Sequence, residues 1–479
     1  MALGEADYGL VGVIGGLTAF ITFFNNLLGW ALGRFYAVAV GECQADPEKG
    51  LSACRGWFNT AVMIHTVVPI AGIVVGYPIG AWMVEHYLTI PPEKIQTCIW
   101  VWRCVCFSCF VGMVNVPFQA MYVAKQYIAE LTIYSFVSTA VNVVFVYYMV
   151  THAGEWLLGY SIWMCLLSVV PQLIICFRAL QVFPECKFDV LQMWSPKRLK
   201  DMAYYAGWQI FSTLGIMLQG QGIQIVYNKC FGPHVNAAAT VSMTVNGHAN
   251  TLSSSMQGAF SPAIMNACGA GDEARMRALA FRSCKFGAFF MLVFIVPLAA
   301  EVDEILTLWL KNPPGYAAGL CFCIFAATLI EKLASGHHIA ICAKGKVALY
   351  QFVAGLFSLL TIPFALVLLL VKHSPYAVGA SLSISAAIYA LIRVYFARTL
   401  AGMSSIEWIR RVLVPIALVL VVSVGLALLP RLWVDQCVWR VFLTTGCAEI
   451  GLFGVACWLL FDAEEKGVLV AKVKGLIKR

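Results

Sequence analysis

Residues 231–269 read FGPHVNAAATVSMTVNGHANTLSSSMQGAFSPAIMNACG, a polar span that a Gly-Pro pair opens and a Cys-Gly pair closes. The beginning of the chain carries a diverged copy of this stretch. At an offset of 228 residues the identical positions are Gly4 and Gly232, Ala31 and Ala259, Ala39 and Ala267, and Gly41 and Gly269. Because repeats of this length form similar structural units, the sequence predicts two related lobes.

Landmarks further along the chain continue the repeat. Trp82 precedes Pro91-Pro92 as Trp309 precedes Pro313-Pro314, and Ala124-Lys125 recurs as Ala343-Lys344. These matches place the repeat length near 220 residues. We therefore predict an N-terminal lobe over 1–180, a C-terminal lobe over 200–400, an additional helix pair over 408–461 and a basic tail over 462–479.

The composition indicates a membrane protein. Hydrophobic residues make up 61% of the chain and charged residues 12%, whereas a soluble domain carries roughly a quarter charged residues. The net charge of +8 lies mostly in short loops, so it does not indicate a nucleic-acid partner. The 18 cysteines have neither zinc-ligand nor disulfide spacing, and we predict no metal and no cofactor.

Apolar blocks longer than about 18 residues predict membrane-spanning helices. We predict an all-α polytopic protein with thirteen spans and no separate soluble domain. The spans are 9–33, 58–84, 97–122, 127–150, 157–177, 204–228, 235–262, 283–300, 316–342, 347–371, 376–398, 411–430 and 438–461.

The basic residues predict the orientation of these spans. Most of them fall on one set of alternate loops, together with the tail from Lys466 to Arg479, and this side is cytoplasmic by the positive-inside rule. The C-terminus is then cytoplasmic and Met1 lies outside. In the second copy of the repeat the span 204–228 precedes the polar span, whereas the first copy has no such span. We therefore expect that the first helix of the first lobe is missing, through a late start site or a truncation.

Several short motifs resemble one transporter family, and they occur in order over nearly the whole chain: Asp7-Tyr8-Gly9, Arg34-Phe35, Ala206-Gly207-Trp208, Phe231-Gly232-Pro233, Val235-Asn236-Ala237-Ala238, Leu308-Trp309-Leu310 and Ala343-Lys344-Gly345-Lys346. The chain resembles the bacterial Wzx-like lipopolysaccharide and polysaccharide flippases. These belong to the multidrug/oligosaccharidyl-lipid/polysaccharide exporter superfamily, which is MATE-like. The family often has Arg after its Asn-Ala-Ala run, where this chain has Ala239 and Thr240.

The resemblance implies a fold, a substrate and a location. The fold would be two pseudo-symmetric helical lobes around a cavity that opens to each membrane side in turn. The substrate would be an oligosaccharide linked to a polyprenyl diphosphate, flipped across the bacterial inner membrane for surface polysaccharide biosynthesis. Implied partners are a coupling proton or sodium ion, membrane lipids and polysaccharide-assembly proteins.

Polar stripes mark three of the predicted spans. Asn246, Asn250, Ser253 and Gln257 share one helical face. Similar stripes occur elsewhere, as Gln209, Thr213, Gln224 and Asn228 in span 204–228 and as Thr18, Thr22 and Asn25 in span 9–33. Unpaired polar groups in lipid are costly, so these stripes either line a water-filled cavity or bond to one another between helices. As cavity residues they offer hydrogen bonds to a sugar, and we select Asn246, Asn250, Gln257, Gln224 and Asn25.

Charged residues inside the predicted spans are few. Arg103, Lys332 and Arg440 are the basic ones, and a charge within a bilayer marks a pathway or a partner. Arg440 lies too near the outer end to act at mid-membrane. We therefore predict that Lys332 holds the diphosphate and that Arg103 receives it on the outer side. The alternatives are that Arg103 snorkels to the surface and that Lys332 is structural.

Glu331 is the candidate coupling residue. Spacing places it on one face with Ser335, His338 and Cys342, beside Lys332, if span 316–342 is one continuous helix. The efflux branch of the superfamily has a cation-linked carboxylate in this lobe. We hypothesise that Glu331 exchanges protons or binds a cation during transport, and the alternative is a structural pair with another helix.

Two other functions are open. Cation-coupled multidrug efflux would use a more apolar and acidic cavity. A membrane glycosyltransferase or polymerase would need catalytic carboxylates in a large external loop, and the loops are short. The external acidic cluster Glu301, Asp303 and Glu304 is expected to be a solvated helix end. The chain has no phosphate-cradling P-loop, and we predict that it is not an enzyme.

Overall fold

The computed structural model describes residues 10, 19–88, 90–152 and 156–460, without the side chains of 19–27. This part of the chain is helical and contains no strand. The α-helices are α1 (Ala19–Ala45), α2 (Pro47–Trp82), α3 (Ile95–Ala124), α4 (Ile128–Thr151), α5 (Leu157–Val182), α6 (Val190–Met193), α7 (Pro196–Gly269), α8 (Glu273–Ala300), α9 (Val302–Leu310), α10 (Ala317–Leu333), α11 (Ser335–Lys344), α12 (Ala348–Val371), α13 (Pro375–Ala401), α14 (Ser405–Trp408), α15 (Val414–Leu428) and α16 (Val438–Leu459).

The predicted spans all overlap helices of the structure. Among the described residues, nine helices are long and apolar enough to cross a membrane, and the bent pair α10–α11 makes a tenth. The other predicted spans fall on α1 and on the two halves of α7, where polar side chains reduce the hydropathy. The prediction of an all-α polytopic membrane protein is therefore confirmed. The expected missing helix, the tail over 462–479 and the side chain of Asn25 lie outside the described residues.

Gly232 divides α7 into two halves, 196–231 and 233–269. Its φ of 82° and ψ of 179° are not helical, and only glycine adopts such angles at low cost. Pro233 then starts the second half, where a missing backbone N–H is tolerated. The Gly-Pro pair that opens the quoted stretch is therefore the link between two spans.

The chain divides into two compact units, 1–207 with 265–271 and 208–264 with 272–479. In the first unit the end of α7 crosses α1 at two glycines that the repeat aligns. A Cβ on Gly41 would collide with the backbone of Asn266, and a Cβ on Gly269 would collide with the backbone of Val38. The close crossing requires glycine at both positions.

In the second unit α8 is the most buried of the apolar spans. Its buried residues include Phe289, Leu292 and Val296, which belong to a core cluster with Leu320 of α10 and Leu452 of α16. The C-terminal helices α15 and α16 are therefore integral to this unit.

Candidate functional site

A break between α10 and α11 forms the centre of the site. The two helices bend by 43° at Ala334, inside what composition reads as one span. The hydroxyl of Ser335 donates to the carbonyl of Lys332 over 2.8 Å. Discontinuous helices with polar groups at the break form the ion and substrate sites of many transporters. The break also separates Glu331 from Ser335, His338 and Cys342, so the prediction that they share one face of a continuous helix is wrong.

Lys332 is buried at this break, with 4% of its surface exposed. Its Nζ donates to Ser254 Oγ over 3.3 Å and to Gln257 Oε1 over 3.2 Å. Both acceptors are neutral and belong to the second half of α7. No carboxylate in the described part of the chain lies within ion-pair distance of this ammonium group. The positive charge is therefore solvated by hydrogen bonds but not neutralised.

Gln257 and Ser335 meet beside a glycine of α8. A Cβ on Gly287 would lie 3.1 Å from Gln257 Nε2 and 3.5 Å from Ser335 Oγ. The hydroxyl of Ser253 donates to the Gly287 carbonyl over 2.7 Å, which fixes the helices in register. Gln257 Nε2 has no hydrogen-bond partner in the described structure. A buried donor without a partner is costly, so it is available to a bound ligand.

Glu331 pairs with a residue that the distribution of basic residues assigns to the cytoplasmic side. Arg393 of α13 is buried and lies 3.5 Å from Glu331 Oε1, and it donates to the Glu331 backbone carbonyl over 3.2 Å. Its guanidinium also lies 4.2 Å from the centroid of the Tyr389 ring. The Glu331 side chain remains 49% exposed. Arg393 therefore stabilises a carbonyl next to the helix break and leaves the carboxylate accessible.

The polar stripe of α7 surrounds this cluster. Asn250 Oδ1 accepts from Ser254 Oγ over 3.3 Å, which extends the hydrogen bonds of Lys332 by one residue. Asn246 Oδ1 is buried and has no partner among the described residues. Gln224, in the first half of α7, donates to the sulfur of Met243 over 3.0 Å, and its Oε1 has no partner in the described structure.

Arg103 lies in the first unit near the start of α3. Its Nε donates to the hydroxyl of Tyr77 over 3.0 Å, and its guanidinium lies 4.6 Å from the centroid of Trp100. The residue is exposed. These contacts of Arg103 lie within the first unit, whereas those of Lys332 lie within the second.

A second buried charge cluster corrects the sequence analysis. Glu301 is buried, and its carboxylate accepts from Arg440 at 3.0 and 2.7 Å and from Thr444 at 2.9 Å. The expectation of a solvated helix end is wrong for Glu301, because the last helix covers it. The sequence also missed Lys285, which is buried in α8 and donates to the carbonyl of Leu460. The signal that could have found it is a lysine within an apolar helix.

No group of three metal-ligating side chains occurs among the described residues. No protein-family model and no curated protein sequence matches the chain. Solved structures do match. A crystal structure of a MATE point mutant superimposes with a TM-score of 0.67 at 14% identity, over 84% of this chain and 89% of that chain. An outward-facing multidrug resistance MATE family transporter of the MOP superfamily gives 0.66 at 13% identity, over 84% and 94%.

A third structure is a MOP superfamily transporter from Pyrococcus furiosus Vc1 (DSM3638), described as having a binding pocket of reverse polarity. It gives a TM-score of 0.55 at 14% identity, over 84% of this chain and 93% of that chain. Such low identity establishes a likeness of fold and nothing finer. The chain is a multi-pass membrane protein with the two-lobed, all-α fold of MATE-like transporters.

Proposed function

We propose that the chain is an alternating-access flippase for an oligosaccharide linked to a polyprenyl diphosphate, acting in the bacterial cytoplasmic membrane. The single observation that carries this proposal is the buried, unneutralised ammonium group of Lys332 at the helix break. A charge held inside a membrane protein without a counter-ion is unfavourable unless a ligand supplies that counter-ion. The diphosphate is the counter-ion that this substrate provides.

The charge balance of the cluster supports an anionic ligand. Lys332 and Arg393 provide two cations near the break, and Glu331 provides one carboxylate that is already paired. The unpartnered Gln257 Nε2 adds a neutral donor. Charge-assisted hydrogen bonds to phosphate oxygens are about twice as strong as neutral ones, so these donors suit a diphosphate.

The exposed face of α7 supports a sugar ligand. Hydroxyl and imidazole groups are exposed along its second half, at Thr240, Thr244, His248, Thr251 and Ser255. A surface of this polarity is unfavourable against hydrocarbon, so we expect it to face water. Many weak hydrogen-bonding groups of this kind match the hydroxyls of an oligosaccharide.

The coupling ion, a proton or sodium, would act at Glu331, because its carboxylate is half-exposed while its partner Arg393 is buried. The C-terminus would be cytoplasmic. Membrane lipids and polysaccharide-assembly proteins would be partners. Arg103 would contribute on the outer side, from a position where it is exposed.

Cation-coupled drug efflux is the competing function, because two of the structures compared above are MATE transporters, one of them described as a multidrug resistance protein. The same comparisons include a transporter whose pocket is described as reversed in polarity. The fold therefore leaves the substrate open, and the charge of the site discriminates. A cationic drug would be repelled by Lys332, whereas a diphosphate would be attracted.

The test uses the purified full chain in proteoliposomes with two substrates, a fluorescent polyprenyl-diphosphate glycan and a cationic dye. We expect translocation of the glycan, its loss in Lys332→Ala and partial activity in Lys332→Arg, since charge matters more than fork geometry for a point contact. Lys332→Met controls for packing, and a normal elution profile controls for folding. Dye transport that is unchanged in Lys332→Ala, without glycan transport, would establish efflux instead.

A further inference from the structure

Helices α4 and α12 are equivalent in the internal repeat. Their bounds, Ile128–Thr151 and Ala348–Val371, differ by 220 residues at both ends. In α12 one face is buried, with Gln351, Ala354, Gly355 and Ser358 on it. The corresponding positions of α4 are Leu131, Tyr134, Ser135 and Ser138. None of these four is buried, and Met149 is the only residue of α4 that is.

The first half of α7 covers the buried face of α12. Gln351 Nε2 donates to Gln209 Oε1 over 2.6 Å, and Gln219 Nε2 donates to Thr361 Oγ1 over 3.2 Å. Between these two contacts the helices approach at Gly215, where an added Cβ would collide with the backbone of Gly355. Small residues and amide pairs of this kind hold membrane helices together.

The face of α4 opens instead onto a cavity of about 760 Å³ between α3, α4 and α5. Leu131, Tyr134, Ser135 and Ser138 all line it. No residue of the described lining is charged, and much of it is polar: Ser108, Asn115, Gln119, Tyr160, Ser161, Ser168 and Gln172. Gln172 Oε1 is buried and has no partner in the described structure. The cavity thus lies where the repeat places a helix in the second unit.

We propose that this cavity is the seat of a membrane-spanning helix joined to the polypeptide ahead of α1. In the second unit the covering helix runs directly into the second half of α7, which the repeat aligns with α1. The occupant is a helix of the same chemistry, with small residues and amide or hydroxyl side chains toward α4. It is uncharged over its middle, because a charge against this lining would have no counter-ion. One of its donors completes the hydrogen bonding of Gln172.

The test is photo-crosslinking in the membranes of the cell that makes the protein, on the full polypeptide expressed from its own gene. A diazirine amino acid replaces Ser138, which lines the cavity. Ser358, its repeat equivalent, is the positive control, since its adduct should map to the first half of α7. Ile133 is the negative control, because it is 60% exposed on the opposite face of α4.

We expect the Ser138 adduct to map by peptide mass spectrometry to an apolar stretch that precedes Ala19 in the same polypeptide. Ile133 should give lipid adducts only. A Ser138 adduct with lipid, with a glycan or with a separate protein would overturn the proposal. These outcomes do not depend on the substrate, because the crosslink is read without transport.

Discussion

Two buried charge clusters in the second unit differ in how completely their charges are neutralised. Glu301 and Arg440 form a two-fold hydrogen-bonded ion pair, and Thr444 donates a third hydrogen bond to the carboxylate. Lys332 is equally buried, but its hydrogen bonds go to a hydroxyl and an amide oxygen. The first cluster leaves nothing for a ligand to satisfy, whereas the second leaves a positive charge and an unpartnered amide donor.

The difference teaches how to separate a structural charge from a working one in a membrane helix. Burial does not distinguish them, since both clusters are buried. Neutralisation does, because a closed ion pair responds to mutation by unfolding and an open cation responds by losing its ligand. The predictions below test this division, beginning with the largest effect.

Arg440→Ala should destabilise the folded protein by about 3–5 kcal/mol, because it leaves Glu301 buried without a counter-charge. The measurement is the thermal unfolding midpoint in detergent, together with the yield of monodisperse protein. Glu301→Ala should have a similar effect.

The matched control is the double variant Glu301→Leu with Arg440→Met. Replacing both partners removes the unpaired charge, so much of the stability should return. Lys332→Met should leave the unfolding midpoint equal or higher, since it removes a buried charge without exposing a partner. An Arg440→Ala protein as stable as the parent, or a Lys332→Met protein that unfolds like Arg440→Ala, would contradict the division.

Glu331→Gln should lower the rate of transport by at least roughly fivefold, the low end of typical coupling energies, and flatten its dependence on pH. The amide cannot release a proton, while the bond from Arg393 to the backbone carbonyl of residue 331 remains and preserves the helix break. The measurement is initial transport rate against pH at constant membrane potential. A normal rate with a normal pH profile would remove Glu331 from coupling.

Arg103→Ala should give the smallest effect. The residue is exposed and its cation–π contact with Trp100 is worth less than about 1 kcal/mol. We expect transport to fall by less than about fivefold and the unfolding midpoint to stay within a few degrees. Transport by the double variant Arg103→Ala with Lys332→Ala at the parent rate would show that neither cation carries the diphosphate.

Sequence reasoning predicts the helices well because hydrophobic blocks mark membrane spans directly. It also finds Lys332 and the polar face of α7, since polar residues are rare in such spans. It does not find the break at Ala334, because neither Gly nor Pro marks that position. Spacing alone implies a continuous helix there, and the predicted face of Glu331 and His338 is therefore wrong.

Arg393 escapes sequence reasoning for a different reason. Its position near the end of α13 suggests a cytoplasmic helix end, but the residue is buried against Tyr389 and Glu331. Pairing between helices that are distant in sequence cannot be read from one chain. The same limit explains Glu301, whose partner Arg440 is far along the sequence and covers a helix end that the charge pattern alone suggests is solvated.

The contacts of α16 also make it a built-in marker of position. Arg440 holds its first turn to the end of α8, and Lys285 of α8 holds the carbonyl of Leu460 at its other end. Cys437 and Cys457 lie near these two ends and are the exposed cysteines of the chain. Probes attached there would travel with α8, so the distance between them should stay constant while the distance from either to the first unit records the transport cycle.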